Sequence, residues 1–438
     1  MNRTIVGAFW LVVYLIVILS PLAIMMIRPT PPARSFLVEF SLGLGFVGLV
    51  QIAVQFVLIA RYESVTAPYG IDLILKYHRQ VATIAIVLLI AHPILLVIDN
   101  PALADLLNPI RGTAASRVGN WSLYLLILLA LLSIFRKRIK LDYELWRVSH
   151  AVLGIAALVL AHVHIRLAAY YTETPWKENV LIGISVVAVA FFVYLRFIKP
   201  AVMSRRPYKV AEITPERGQT WSFTLTPDGH DGLRFRPGQF AWLKVGESPW
   251  TIEEHPFSFS SSANDPNRIE FGIKELGDFT NTIGSIPIGT TAYVDGPHGA
   301  FSPDRESAAA YVFFAGGVGI APFMSMLRTM ADRGDKRPIT LFYGAANWDD
   351  TAYREAIEAL KARLDLQVVY VLEEPPDDWI GETGFIDADV LKRHMPQGDV
   401  DRLHFVCGPI PMIDAVEAAL QKRGVPMERI RSERFDLV

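Results

Sequence analysis

The chain has 438 residues, 52% of them apolar, and a net charge of −2. That length allows two or three domains, and the near-neutral charge gives no basis for nucleic-acid binding. A single cysteine, Cys407, excludes a disulfide framework within the chain and also a four-cysteine iron–sulfur centre.

The average composition conceals two halves. Residues 1–200 read as membrane, and residues from 205 onward as an ordinary soluble protein. The apolar run Ile5 to Ile27 is too long for the core of a signal peptide and lacks a small-residue cleavage site, so it is expected to be a first membrane helix. Six spans are expected, at about 4–27, 36–60, 72–98, 119–135, 145–169 and 178–197. Basic residues orient them. Arg136, Lys137, Arg138, Lys140 and Arg147 join spans four and five; Arg196, Lys199, Arg205, Arg206 and Lys209 follow span six. Both groups belong on the cytoplasmic side of a plasma or inner membrane, which puts both termini in the cytoplasm.

The third and fifth spans carry the chemistry. His78 and His92 lie on one, His150 and His164 on the other, fourteen residues apart in each case. Fourteen steps return a helix to within ~40° of its starting face and rise ~21 Å. Two such helices rising in the same direction offer two histidine pairs, His78 with His150 and His92 with His164. Ionisable groups inside a membrane helix are costly, so four at a duplicated spacing are poorly explained by packing. Paired imidazoles in an apolar bundle suit haem iron, and two bis-histidine b-type haems are expected. His162 lies about 120° round the helix from His150 and falls off the stripe. Arg79 and Arg147, near the inner pair, either neutralise haem propionates or anchor the helices.

The soluble half begins with short strands. Trp221-Ser-Phe-Thr-Leu alternates as a half-buried strand does, and Phe235-Arg-Pro-Gly-Gln-Phe-Ala-Trp-Leu-Lys reads as a turn and a strand. Strands divided by Gly and Pro predict a small antiparallel barrel over 205–303. Over 304–438, apolar strands (310–315, 339–343, 366–371, 402–407) alternate with helices (322–332, 350–363, 412–422), which implies a parallel sheet. The expected architecture is therefore multidomain: a six-helix transmembrane bundle, an antiparallel β-barrel and an α/β parallel-sheet nucleotide-binding domain.

Several motifs fall on these elements. His255, Pro256, Phe257 and Ser258 end a barrel strand, and an aromatic with a hydroxyl on one strand suits a flavin. Lys274-Glu-Leu-Gly277-Asp-Phe-Thr280 is a glycine turn before a short helix, whose N–H groups suit a pyrophosphate. Gly316, Gly317, Gly319, Ala321 and Pro322 form a strand–glycine loop–helix junction suited to a dinucleotide phosphate. Cys407, Gly408 and Pro409 close a later parallel strand, at the edge where an open α/β sheet binds ligands.

H-P-F-S, G-G-V-G-I-A-P and C-G-P, in this order, resemble the ferredoxin–NADP⁺ reductase family. Joined to six helices with paired histidines, the whole resembles the ferric reductase and NADPH oxidase family of transmembrane flavocytochromes b. The resemblance covers about 72–438. It implies two haems, FAD on the barrel, NADPH or NADH on the α/β domain, and electron flow from nicotinamide to flavin to inner and then outer haem. It also implies that His255 to Ser258 hold the flavin, that Lys274, Gly277 and Thr280 serve its pyrophosphate, and that 316–322 and Gly344 serve the nicotinamide dinucleotide. Ser258 and Cys407 would flank the hydride step, and Phe435 would cover the flavin ring, although three residues follow it where many relatives end. After Tyr343-Gly344 relatives often place an arginine; here Ala345-Ala-Asn-Trp-Asp-Asp350 offers no cation before Arg354, so weak discrimination between NADPH and NADH is expected. Superoxide-forming relatives carry a second histidine four residues past the outer ligand; here Leu96 stands there. Arg34, Arg111 and Arg166 remain as external cations. O₂ and ferric chelates weigh equally as acceptors. Competing readings are a membrane donor to a partner protein for redox repair, which a complete reductase half opposes, and a haem-binding transporter or sensor. The sequence sets no oligomeric state.

Overall fold

The computed structural model describes residues 3–60, 71–246, 248–396, 398 and 401–434. The chain divides into two compact units, one of helices up to Lys199 and one from Pro200 onward.

The first unit contains α1 (Arg3–Met26), α2 (Phe36–Leu58), α3 (Ile71–Asp99), α4 (Ala114–Phe135), α5 (Tyr143–Ala168) and α6 (Pro175–Val193). All six are long and apolar enough to cross a bilayer. Three begin earlier than their apolar runs because a cap, not hydropathy, sets the first turn. Thr113 accepts from the Ser116 amide, Asp142 from the Leu145 amide, and Pro175 occupies the first turn of α6. The helix α6 then runs on through a π turn at Tyr194–Ile198 to Met203. Leu49, Ala53, Ala85, Leu126 and Leu158 fill the bundle core. Lys177 is fully buried, and its Nζ donates to the carbonyls of Met25 (3.2 Å) and Pro29 (2.9 Å), closing the C-terminal end of α1 with a cation.

The second unit holds two six-stranded sheets. The first is antiparallel and curled, ordered β4-β3-β6-β1-β2-β5, with β1 Tyr208–Glu216, β2 Thr220–Pro227, β3 Phe240–Val245, β4 His255–Ser258, β5 Ile269–Lys274 and β6 Thr291–His298. Phe223, Leu225, Phe259, Phe271 and Ile273 fill its concave face. The second is parallel, ordered β10-β9-β8-β7-β11-β12, with β7 Tyr311–Gly316, β8 Ile339–Ala345, β9 Leu366–Leu372, β10 Glu382–Thr383, β11 Leu403–Cys407 and β12 Ile430–Glu433. Alternation along β7 splits its side chains between two cores: Tyr311, Phe313 and Ala315 pack toward α7 (Ala321–Asp332), while Val312 and Phe314 pack toward α10 (Ile410–Lys422). The helix expected over 350–363 is shorter, α8 at Arg354–Leu360. Asn347 accepts from the Asp350 amide (2.9 Å), and Tyr353 adopts φ 58°, so a turn occupies the start of that segment. The short helix α9 (Ala388–His394) and the edge strand β12 were not expected.

Candidate functional site

The helices α3 and α5 bring the four histidines together as two pairs. The ring centres of His78 and His150 are 6.2 Å apart, and those of His92 and His164 are 6.3 Å apart. A metal midway between two imidazoles, with bonds of about 2.0 Å and ring centres roughly 1.1 Å behind the ligating nitrogens, needs a spacing of about 6.2 Å. Both pairs therefore fit an iron ligated on two sides.

Neighbouring helices fix the protonation of three of these rings. A carbonyl only accepts, so His92 Nδ1–H donates to Ser41 O (2.9 Å) and His164 Nδ1–H donates to Ala115 O (2.8 Å). His150 Nδ1 lies 3.2 Å from Ser133 Oγ. That hydroxyl gives its own proton to Leu129 O (2.7 Å) and accepts from Trp146 Nε1 (3.2 Å), so His150 Nδ1 is the donor there too. In all three rings the lone pair is left on Nε2, the nitrogen a metal would take. Among the described residues, Nδ1 of His78 is buried without a partner. His162 turns elsewhere, with Nε2 at 2.8 Å from Ser185 Oγ on α6.

A cavity of about 620 Å³ opens at the second pair, lined by His92, His164, Gly45, Gly119, Arg34 and Tyr171 among others. Gly119 is required: a Cβ there would lie 2.8 Å from His164 Nδ1. The Arg34 guanidinium lies 3.5 Å over the Tyr170 ring. Of Arg34, Arg111 and Arg166, Arg34 is the one among the cavity's lining residues. Ser41, Ser133, Gly119 and the Ala115 carbonyl were missed by sequence reasoning. Serines and glycines in membrane helices ordinarily mark close packing and carry no further signal.

In the antiparallel sheet, β4 places His255 to Ser258 against β3, with Pro256 opposite Trp242. Ser258 is buried. The His255 ring stacks on Phe279 (4.1 Å, 10°), an aromatic that the motifs did not single out. Lys274 ends β5, opposite Thr220. The turn after it is closed by Thr280, whose Oγ1 accepts from the amides of Leu276 (2.8 Å) and Gly277 (2.9 Å). Those two N–H groups are thus already paired within the turn.

Gly316 and Cys407 end β7 and β11 of the parallel sheet and Gly344 is the penultimate residue of the neighbouring β8, with Gly316 opposite Gly344 and Ala315 opposite Cys407. Gly317 takes φ 53°, and Ala321 and Pro322 open α7. The loops 316–322 and 407–409 meet backbone to backbone. A Cβ on Gly319 would stand 2.4 Å from the Cys407 carbonyl, and one on Gly316 would stand 2.8 Å from Pro409 Cδ. Gly408 packs against Gly316. Cys407 itself is fully buried. Phe435 lies outside the described residues.

Beyond β8, Trp348 meets Tyr370 and Trp379, each with ring centres 5.1 Å away. The cations nearby are engaged. Arg354 lies 4.2 Å over the Trp348 ring and donates to the Trp348 carbonyl (2.9 Å). Arg217 pairs with Glu355 (2.7 Å) and Asp349 (3.6 Å), and its hydrogen bond holds the Glu355 carboxyl down to about 2.

A polar cluster joins the two sheets' lobes. Arg328 of α7 donates to Glu270 Oε1 of β5 (2.5 Å) and to Ser260 O (2.9 Å). Ser260 Oγ also donates to Glu270 Oε1 (2.8 Å). Ser222 Oγ donates to Glu216 Oε1 (2.8 Å) and lies 3.1 Å from the Tyr353 hydroxyl. Burial, and then the nearby Glu270 carboxylate, raise the Glu216 carboxyl above its ordinary range.

Comparison with known proteins assigns each half. Residues 44–161 match the ferric reductase like transmembrane component, 223–301 an FAD-binding domain, and 313–418 the oxidoreductase NAD-binding domain. The chain is 32% identical over 236 residues to the propane 2-monooxygenase reductase component of Rhodococcus jostii, covering 52% of this chain and 62% of that protein. It is 31% identical over 243 residues to the flavohemoprotein of Deinococcus radiodurans, covering 52% of this chain and 59% of that one. The chain thus spans about six tenths of the length of these curated relatives. Among solved structures, the cytochrome b5 reductase domain of Ulva prolifera nitrate reductase aligns with 53% of this chain and 98% of its own, at 21% identity and a TM-score of 0.46. In chain order, therefore, a match to the ferric reductase like transmembrane component is followed by matches to an FAD-binding domain and an oxidoreductase NAD-binding domain.

Proposed function

We propose that this chain carries electrons from cytoplasmic NAD(P)H through FAD and two b-type haems to an acceptor outside the membrane. The observation that carries the reading is the pair of ring spacings, 6.2 and 6.3 Å, at two depths of one apolar bundle. His78 with His150 would hold the inner haem and His92 with His164 the outer one. Haem iron held by two imidazoles supplies one-electron chemistry, and FAD accepts hydride from a nicotinamide and releases electrons singly.

The chain's own groups then have definite tasks. Ser41, Ala115 and Ser133 engage Nδ1 of three imidazoles, which would leave the Nε2 lone pairs to hold iron. Arg34, at the outer cavity, is a cation for a haem propionate or for an anionic acceptor. His255, Phe257 and Ser258, with Phe279 stacked on His255, line the flavin strand. Gly316 to Pro322 and the Cys407 to Pro409 loop form the strand-end crevice for the dinucleotide. Basic residues between α4 and α5 and after α6 support a cytoplasmic side for both termini and the soluble half.

If His78 with His150 and His92 with His164 each hold a haem iron, the acceptor would be reduced without binding iron. O₂ and ferric chelates both qualify. The test is the absorption spectrum of the purified chain before and after NADH or NADPH under nitrogen, followed by addition of ferric citrate or air. Two low-spin haems reduced through flavin, and turnover with both acceptors, are expected. A haem-free chain would overturn the proposal. Rapid superoxide formation in air with no anaerobic turnover on ferric citrate would make it an oxidase alone.

A further inference from the structure

The four histidines are unequally supported. Three pass their Nδ1 proton to an acceptor, while the Nδ1 of His78 is buried with none. A buried donor left unmatched costs about 1–3 kcal/mol, so an acceptor is to be looked for. The need for one rests on the proposed ligation of a haem by His78, in which Nε2 must keep its lone pair and Nδ1 the proton.

The helices α2 and α3 pack antiparallel, through Ser41 and Gly45 against His92 and Gly48 against Leu89. Fourteen residues along α2 from Ser41 stands Gln55; fourteen residues back along α3 from His92 stands His78. Both steps rise ~21 Å, in the same direction through the bundle. Gln55 therefore lies at the depth of His78 as Ser41 lies at the depth of His92. It is also seven residues beyond Gly48, within ~20° of the stripe that faces α3.

Gln55 is 7% exposed. Its Nε2 donates to Gln51 O (3.2 Å), which fixes the amide's orientation. Among the described residues, its Oε1 is buried without a partner. Gln51 also has an unpaired oxygen, but its amide nitrogen is turned to Tyr14 on α1 (3.5 Å). A buried acceptor and a buried donor, both unmatched, thus stand at one depth on facing helices.

We propose that Gln55 is the positioning residue of the inner haem site, its Oε1 accepting the Nδ1 proton of His78. It does for His78 what the Ser41 carbonyl does for His92. The bond holds the tautomer with the lone pair on Nε2 and makes the imidazole a stronger donor to iron, which favours the oxidised metal and keeps the inner potential down.

The test is an anaerobic redox titration of the full-length protein with both haems, comparing wild type, Gln55→Met, Gln55→Glu and His78→Ala. The component missing in His78→Ala identifies the inner haem. Gln55→Met, an apolar side chain of similar size, is expected to raise the inner midpoint potential and weaken retention of that haem by about 10- to 100-fold, with the outer haem unmoved. Gln55→Glu keeps an acceptor oxygen and is expected to hold the inner potential at or below the wild-type value. Inner potential and retention unchanged in Gln55→Met would overturn the proposal. So would equal movement of both haems, or upward shifts of the inner potential in both Gln55 variants, since mere packing would act in that way. If His78→Ala keeps both haems, the haem reading itself fails, whatever Gln55 does.

Discussion

Gly119→Ala tests the His92–His164 site through a single methyl group. The added Cβ would stand 2.8 Å from His164 Nδ1 and 3.1 Å from two of its ring carbons. Ordinary contact begins at ~3.5 Å, so the ring must retreat by about 0.7 Å. A retreat of that size stretches or breaks the bond from Nδ1 to the Ala115 carbonyl, now 2.8 Å. Losing that bond costs about 0.5–1.5 kcal/mol, and crowding a packed site costs about 1–3 kcal/mol. Together these predict a loss of roughly 10- to 1000-fold in haem affinity at one site. The helix itself should not suffer, because Ala is favoured over Gly by about 1 kcal/mol in a helix interior. The assay is haem content per chain, with a redox titration of whatever remains. Gly45→Ala is the control: its Cβ would meet the His92 ring at 3.4 Å, a contact that needs almost no movement. Two haems per chain and unshifted potentials in Gly119→Ala would refute the reasoning, as would equal losses in both variants.

The same geometry sets other outcomes. His164→Ala should remove one of the two haems, whereas His162→Ala, which loses only the contact with Ser185, should keep both by absorption spectroscopy. Arg217 and Arg354 are engaged by Glu355, Asp349 and Trp348, so NADH and NADPH should give kcat/KM values within about tenfold of each other, and a preference for NADPH of about a hundredfold would count against this reading. Cys407→Ala should slow flavin reduction in stopped flow more than it weakens dinucleotide binding; an unchanged rate would make the thiol a bystander. The raised Glu216 carboxyl means that the folded chain holds this proton more tightly than the unfolded chain, so stability falls as pH rises from the ordinary carboxylate range through the raised pKa. Glu216→Gln should therefore raise the temperature of flavin release at neutral pH, an advantage that vanishes in acid.

The pairing of the histidines was legible because helix geometry alone converts a fourteen-residue spacing into one stripe. The groups that hold the rings were not, because they come from α2 and α4, where Ser41, Ser133 and Gly119 look like ordinary small residues of a packed bundle. The strand–helix alternation of the last third was legible from apolar runs such as Tyr311 to Ala315. Short elements escaped: β12 has four residues and α9 seven, too few to show a period. The helix expected from residue 350 lost its first turn to the Asn347 side chain and the left-handed Tyr353, both local choices that hydrophobic periodicity does not report. The Gly277 turn was expected to present free N–H groups, and the hydroxyl that occupies them belongs to Thr280 of the same motif.

The polar cluster of Arg328, Glu270, Ser222, Ser260 and Tyr353 bears on how this protein can be dissected. A cut near residue 303, where strands give way to strand–helix repeats, looks like a natural place to separate two modules. Such a cut would leave Glu270, 7% exposed, in one fragment and Arg328, its cation, in the other. Removing one partner of a buried pair is strongly destabilising, on the order of 3–5 kcal/mol, and Ser222 and Tyr353 would be separated by the same cut. The flavin-binding piece expressed alone should aggregate, whereas a fragment from Pro200 to the C-terminus keeps the cluster whole.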